Sequence, residues 1–220
     1  MEELRSRETD NSIEIVVATR NRGKLREIKS ILIPLPLKFF SLDDFAGIPE
    51  VVEDGATFAE NAEKKATIIA GLANRPAIAD DSGLTIDALE GRPGVYSSRY
   101  AGENATDKER WQKVLDEMAD VPDGKRQASF KCAVAIASPG GKFQVVEGEC
   151  PGTIAFKPRG TGGFGYDPIF FLPELGKTMA ELDPGVKNRI SHRARALEKL
   201  KRILPGFLHL SLAILLPVMV

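Results

Sequence analysis

The sequence predicts an α/β protein built on a mixed central β-sheet flanked by helices. Three observations carry that prediction. Short apolar or β-branched runs alternate with helical periodicity through the first half of the chain, as in strand–helix–strand units. Two later runs, Ala128 to Ala137 and Phe143 to Val146, flank Pro139-Gly140-Gly141 and read as an antiparallel pair. A capped, amphipathic pattern then closes the domain as a helix.

Each element follows from its residues. Ile13 to Ala18 (IEIVVA) is β-branched and fits a buried strand, and Leu25, Ile28, Ile31 and Leu32 recur at helical spacing just after the polar turn Thr19–Gly23. Lys38 to Leu42 reads as a second strand. Thr57 to Ala73 is alanine-rich and suits a helix that stops before Asn74-Arg75-Pro76. Ala77-Ile78-Ala79 is a brief apolar strand expected to end at Asp80-Asp81-Ser82-Gly83, which has the composition of a turn. Thr106 and Glu109 have capping-box spacing ahead of Trp111, Val114, Leu115 and Met118, so a helix begins there. Asp183-Pro184 supplies a cap and first residue for one long helix running to about Leu204.

Composition narrows the class. The 220 residues carry 30 Lys plus Arg against 31 Asp plus Glu, a net charge of −1, so nucleic-acid backbone is not the expected partner. Two cysteines and two histidines are too few for a disulfide scaffold or a His-rich metal centre. Residues 1–12 lack the apolar core of a secretory signal and read as a flexible tail before a domain spanning 13–204, and a cytoplasmic location is expected. Residues 205–220 form an apolar tail of unassigned role. With Ile203 and Leu204 it makes 18 nearly continuous apolar residues, but Pro205 and Pro217 interrupt them. A segment packed on the body, a dimer contact or a non-native tail is favoured there over membrane contact.

Four segments carry chemistry. Thr19-Arg20-Asn21-Arg22-Gly23-Lys24 joins a strand to a helix N-terminus, where free backbone N–H groups and the helix dipole suit phosphate. It is not a P-loop, which would need glycine at Ala18 and a hydroxyl residue at Leu25. Asp80 and Asp81 end an apolar strand, and successive strand residues face opposite ways, so one can face a ligand while the other anchors structure. A carboxylate there can hold Mg²⁺ or orient water. Gly162, Gly163 and Gly165 bracket Phe164 and, with Tyr166 and Asp167, make an exposed aromatic loop suited to stacking on a base and accepting from its N–H groups. Lys187, Ser191, His192 and Arg193 lie along the closing helix with donors for a base carbonyl. Taken singly, these segments also read as a solvated turn, a polar turn, an aromatic plug and a basic helix face. Taken together they describe a nucleoside triphosphate site.

On those residues the sequence resembles the inosine triphosphate pyrophosphatase family, the XTP/dITP diphosphatases. The matching segments are TRNRGK (Thr19–Lys24), FAENAEKKA (Phe58–Ala66), IADDSGL (Ile78–Leu84), GRPGVYSSRYAG (Gly91–Gly102), GTGGFGYDPIFF (Gly160–Phe171) and KNRISHRARAL (Lys187–Leu197). The resemblance covers roughly residues 13 to 204. It implies two lobes with the active-site cleft between them, and Mg²⁺-dependent hydrolysis of ITP, dITP or XTP to the monophosphate and pyrophosphate by a homodimer. It implies that Asp81 is the catalytic, metal-linked carboxylate with Ser82 beside it on the substrate, and Glu53 is the candidate second metal contact. Residues Thr19 to Lys24 and Lys65 would hold the triphosphate, with Arg20 bulkier than the glycine often found there. Phe164, Gly165, Tyr166 and Asp167 would clamp the base, completed by Lys187, His192 and Arg193. Donors from His192 or Arg193 would pair with a 6-oxo purine and be left unpaired by adenine. Two other readings remain open: a Maf-like pyrophosphatase of other nucleotides, and a nucleotide sensor without turnover.

Overall fold

The structure is a computed structural model that describes residues 12–33 and 35–209. One seven-stranded mixed sheet has the order β2-β1-β3-β4-β5-β6-β7. β1 (Ile13–Val17) runs parallel to both β2 (Leu37–Ser41) and β3 (Ala77–Ile86). β4 (Gln127–Ala137), β5 (Phe143–Ile154), β6 (Phe170–Leu172) and β7 (Lys177–Thr178) continue the sheet antiparallel. Helix α1 (Arg22–Leu32) connects β1 to β2, and α2 (Phe58–Ala73) precedes β3. Helix α3 (Asp107–Glu117) follows a 3₁₀ segment at Gly94–Arg99, and α4 (Pro184–Ile190) and α5 (His192–Phe207) close the described chain.

Strand alternation sorts the core. Ile78, Cys132, Val134 and Ile136 face α1 and α5, where Ile28, Leu32, Leu197 and Leu200 are buried. Ala77, Ala79, Ala133, Ala135 and Ala137 face α2, and these small side chains let Ala62, Ala66 and Ala70 pack close to the sheet. A third cluster lies beyond, where Leu84 and Ile86 of β3 meet Phe130, Ile154, Phe170, Val114 and Met118. The long strands β3, β4 and β5 thus run from one lobe into a second, and the polar stretch Asp80–Ser82 lies where the first two clusters give way to the third.

Several expectations need correcting here. β3 does not stop at Asp80: Asp80, Asp81, Ser82 and Gly83 pair in register with Val134, Ala133, Cys132 and Lys131 of β4. The ladder satisfies their backbone, so turn-like composition does not end the strand. β5 runs on to Ile154 rather than stopping at Val146. The closing helix is two helices broken at Ser191, which ends α4 in an extended conformation (ψ 160°) and caps α5 by accepting from the Ala194 N–H at 3.2 Å. Asp183 precedes Pro184 as expected but makes no side-chain capping bond. Pro205 lies inside α5, which continues to the buried Phe207. Among the described residues no helix is long and apolar enough to cross a membrane. The N-terminal tail through residue 11 and the apolar stretch 210–220 lie outside the described residues. Cys132 and Cys150 are free and buried.

Candidate active site

β1 pairs with β3 only at Val16↔Ala77 and Val17↔Ile78, so β3 outruns its neighbour and its next residues have an open edge. Into that edge turn the segment after β1 and the first turn of α1. This crevice at the end of the parallel strands is where open α/β sheets bind ligands. An inner pocket is lined by Asn21, Lys24, Glu53, Asp81 and Ser82 on one side and by Phe164, Tyr166, Asp167, Lys187, His192 and Arg193 on the other. It joins an outer pocket that shares Asn21, Lys24 and Glu53 and adds Thr19, Arg20, Lys65 and Arg99.

The two aspartates take opposite faces, as strand geometry requires. Asp80 is fully buried and faces α1 and α5: its Oδ2 meets Lys24 Nζ at 3.1 Å and accepts from Arg193 Nη2 at 2.9 Å and Nε at 3.1 Å. Burial pushes its carboxyl up, but the Lys24, Arg193 and Lys65 cations outweigh burial and hold it below the ordinary carboxylate range. Asp81 faces α2 and accepts from Asn61 Nδ2 at 2.9 Å. Burial raises the Asp81 carboxyl above its ordinary value; Lys24 opposes the rise and Glu53 reinforces it. Asn61 and Lys65 are four residues apart on α2 and so share a face. From there Lys65 Nζ donates to the Asp80 carbonyl at 2.8 Å and pairs with Glu53.

The base side is built on α5 and the glycine loop. Gly148 of β5 has no room for a side chain, since a Cβ there would run into the backbone of His192 and Ala196. The α5 N-terminus therefore lies directly on the sheet, which fixes His192 and Arg193. The His192 ring stacks on Phe130 (centroids 4.7 Å, 21° between planes), and its Nδ1 is buried with no hydrogen-bond partner among the described residues. Burial, reinforced by the Arg193 and Lys187 cations, holds its pKa well below 6.5, so the imidazole is neutral near pH 7. Glu27 of α1, absent from the sequence reading, bridges Lys187 (3.0 Å) and Arg193 (2.5 Å). Lys187 also meets Asp167 at 2.5 Å and lies over the Phe164 ring at 4.7 Å.

Most sequence-predicted residues converge here, with four corrections. The helix N-terminus offers fewer open amides than expected: Asn21 Oδ1 accepts from the Gly23 and Lys24 N–H groups at 2.8 and 3.1 Å, and Thr19 Oγ1 accepts from that of Asn21 at 3.1 Å. The anion cradle therefore relies on side chains as well as backbone. Arg22 is exposed and lines neither pocket, because it starts α1 on its outer side. Gly23 lines neither pocket but leaves room for Phe164, whose ring would lie 2.6 Å from an added Cβ. Tyr166 is not exposed: it is buried, and its hydroxyl donates to the Ser97 carbonyl at 2.7 Å. Arg20 lies at the outer pocket, held by Asp43 at 3.3 Å and the Ile48 carbonyl at 3.2 Å. Arg193 spends four hydrogen bonds on Asp80, Glu27 and Ser82, which leaves one of its five N–H groups for a ligand.

Asn61, Arg99, Asp107 and Arg110 also belong to the site, with no individual role assigned to them by sequence. Asn61 carried a signal, lying one helical turn before Lys65. Arg99 lies in the matching segment Gly91–Gly102, whereas Asp107 and Arg110 at the start of α3 are brought in only by the three-dimensional fold.

Solved relatives share this arrangement of elements. The Ham1 protein of Coxiella burnetii superposes with a TM-score of 0.81 at 48% identity, covering 88% of this chain and 99% of that one. The Staphylococcus aureus Ham1 protein gives 0.79 at 40% identity over 88% and 99%. In sequence, the chain is 58% identical over 187 residues to a dITP/XTP pyrophosphatase of Geobacter sulfurreducens, covering 85% of this chain and 94% of that protein. It is 56% identical to one of Geobacillus kaustophilus, covering 85% and 92%. The family model of the Ham1 family matches residues 15–203. With that match spanning nearly the whole described body, and the pockets built from its residues, this chain belongs to the Ham1 family.

Proposed function

We propose that this protein hydrolyses non-canonical purine nucleoside triphosphates (ITP, dITP and XTP) to the monophosphate and pyrophosphate, and so removes them from the nucleotide pool. The observation that carries the reading is the pairing of a cationic, carboxylate-bearing outer cleft with an aromatic, donor-lined inner pocket across one open strand edge. The triphosphate lies along Thr19, Asn21, Lys24 and Lys65, and the base enters between Phe164 and the His192–Arg193 corner. The protein acts as a homodimer in the cytoplasm.

Glu53 and Asp81 fit Mg²⁺ as hard oxygen donors: both line the inner pocket, and their mutual repulsion helps raise Asp81. When bound, the ion supplies charge neutralisation on the phosphate oxygens. Asp81 orients the attacking water and takes its proton as the new P–O bond forms and the α–β anhydride bond breaks. Lys24 and Lys65, already in place, stabilise the charge that gathers on the leaving pyrophosphate. On the base side, neutral His192 and the remaining Arg193 N–H meet a 6-oxo acceptor, whereas adenine's amino group leaves them buried and unpaired, at about 1–3 kcal/mol per group.

The test is to incubate the purified protein and Mg²⁺ with ITP, dITP, XTP, GTP or ATP and quantify monophosphate and pyrophosphate. Fast release from the first three with GTP and ATP spared is expected. Binding without product refutes the reaction, and equal turnover of ATP refutes the account of selectivity.

A further inference from the structure

Three walls of the inner pocket are tied into a closed triangle by side chains whose role the proposed reaction leaves open. The glycine loop reaches the 3₁₀ segment through the Tyr166 hydroxyl, which donates to the Ser97 carbonyl. The 3₁₀ segment is tied to α3 by Arg110, whose Nη1 donates to the Ser98 carbonyl. The third side is Asp107, the first residue of α3: its Oδ2 accepts from the Gly165 N–H at 2.6 Å while its Oδ1 holds Arg110 Nη2 at 2.5 Å. All three sides line the pocket.

The sides differ in kind. Tyr166 is buried, whereas the Asp107 side chain is 45% exposed and that of Arg110 20%. The Asp107 side is thus the one that water can most readily replace. Gly165 lies between Phe164 and Tyr166, so releasing its N–H frees the backbone that carries the stacking ring. We propose that Asp107, braced by Arg110, is a positioning residue that straps the Phe164–Asp167 loop over the base, a role that rests on the nucleotide reading above. Opening the strap lets a nucleotide in, and closing it aligns Phe164. A simpler role for Asp107, an acidic residue favoured in a first helical turn, predicts something else: any loss of its charge acts on α3 alone.

Asp107→Ala, Asp107→Asn and Arg110→Met separate these. Amide hydrogen exchange of residues 160–168, followed by mass spectrometry without nucleotide, should quicken in Asp107→Ala. In Asp107→Asn, which keeps one acceptor for the Gly165 N–H but loses the pairing with Arg110, it should lie between wild type and Asp107→Ala. Steady-state kinetics should show KM for ITP raised roughly 10-fold or more in Asp107→Ala with kcat changed far less, and a smaller preference for ITP over ATP. Arg110→Met should lie between. Unchanged exchange in Asp107→Ala, or Asn behaving like Ala, overturns the strap. Faster exchange with unaltered KM and preference overturns its role in positioning. A wild-type protein that releases no pyrophosphate from ITP refutes the proposed reaction instead, and the exchange measurement, made without nucleotide, still decides the strap.

Discussion

Replacing Asp80 by Asn tests how the buried half of the site is held together. The side chain is fully buried and touches Lys24 Nζ at 3.1 Å and Arg193 at 2.9 and 3.1 Å, so the substitution removes a charge with almost no change of volume. Around it Lys24, Lys65, Lys187 and Arg193 interlock with Glu27, Glu53, Asp80 and Asp167, and among the described residues Asp80 is the carboxylate that pairs with Lys24. Neutralising one anion leaves the interior with an uncompensated positive charge, for which the cost of breaking a buried pair is about 3–5 kcal/mol. With a urea m value of about 3 kcal/mol/M for a chain of this size, the midpoint should fall by about 1–1.7 M. Total stabilities run about 5–15 kcal/mol, so the variant should remain measurable as a folded protein. Equilibrium urea unfolding at pH 7, followed by circular dichroism and by Trp111 fluorescence, reads the shift. A fall below about 0.3 M, with unchanged m, would mean that Lys24 and Arg193 do not depend on Asp80 and that the cluster is not a single unit.

Four further outcomes follow from the geometry. Asp81→Asn should lower turnover of ITP by at least about 10²–10⁴-fold while calorimetric binding of nucleotide persists, and a fully active variant would remove Asp81 from the mechanism. Gly23→Ala sets a Cβ 2.6–2.8 Å from the Phe164 ring, so it should displace the ring and raise KM by about 5–150-fold, the worth of one base stack at about 1–3 kcal/mol. Gly148→Ala drives a methyl into the α5 backbone and should cost about 1–3 kcal/mol or more in urea unfolding, with activity lost alongside as His192 and Arg193 shift. His192 stays neutral in the folded protein well below pH 6.5, whereas the unfolded chain takes up its proton near that pH. Native stability should therefore drop as pH falls below about 6.5, by up to about 1.4 kcal/mol per pH unit, and His192→Gln should lose that component of the slope.

How much of this was legible depends on how far apart the partners lie. The opposed faces of Asp80 and Asp81 follow from strand period alone, and the structure keeps them. Yet Asp80-Asp81-Ser82-Gly83 reads as a turn, because these residues are poor strand formers on their own. Only the β4 ladder, and cations arriving from α1, α2 and α5, sustain the strand through them. The break at Ser191 is hidden for a similar reason: apolar spacing continues across it, and a lone serine marks the cap. Glu27 looks like a solvated residue of an amphipathic helix, and its partner Arg193 lies 166 positions away. Asp107 is legible as a first-turn acid, but not as the acceptor for Gly165, 58 positions on. Local pattern placed the ligand-facing motifs; the residues that hold those motifs in place are defined by long-range contacts.

A buried charge cluster is weak evidence for stability, since well-packed apolar residues would serve a core as well or better. Its placement therefore needs a reason, and the geometry supplies one. Asp80 locates three cations from three helices at once: Lys24 from α1 and Arg193 from α5 through its carboxylate, and Lys65 from α2 through its carbonyl. An apolar core would leave those side chains free to rotate into solvent. Held as they are, Lys24 and Lys65 meet a triphosphate without reorganising, and electrostatic stabilisation is strongest where the charges are fixed before the reaction begins. The same residue, one position from Asp81 on a rigid strand, keeps the carboxylate and the cations in register with each other. Stability is thereby exchanged for position: the Asp80 variant that loses urea resistance should also lose the alignment of phosphate and water, even though Asp80 touches neither.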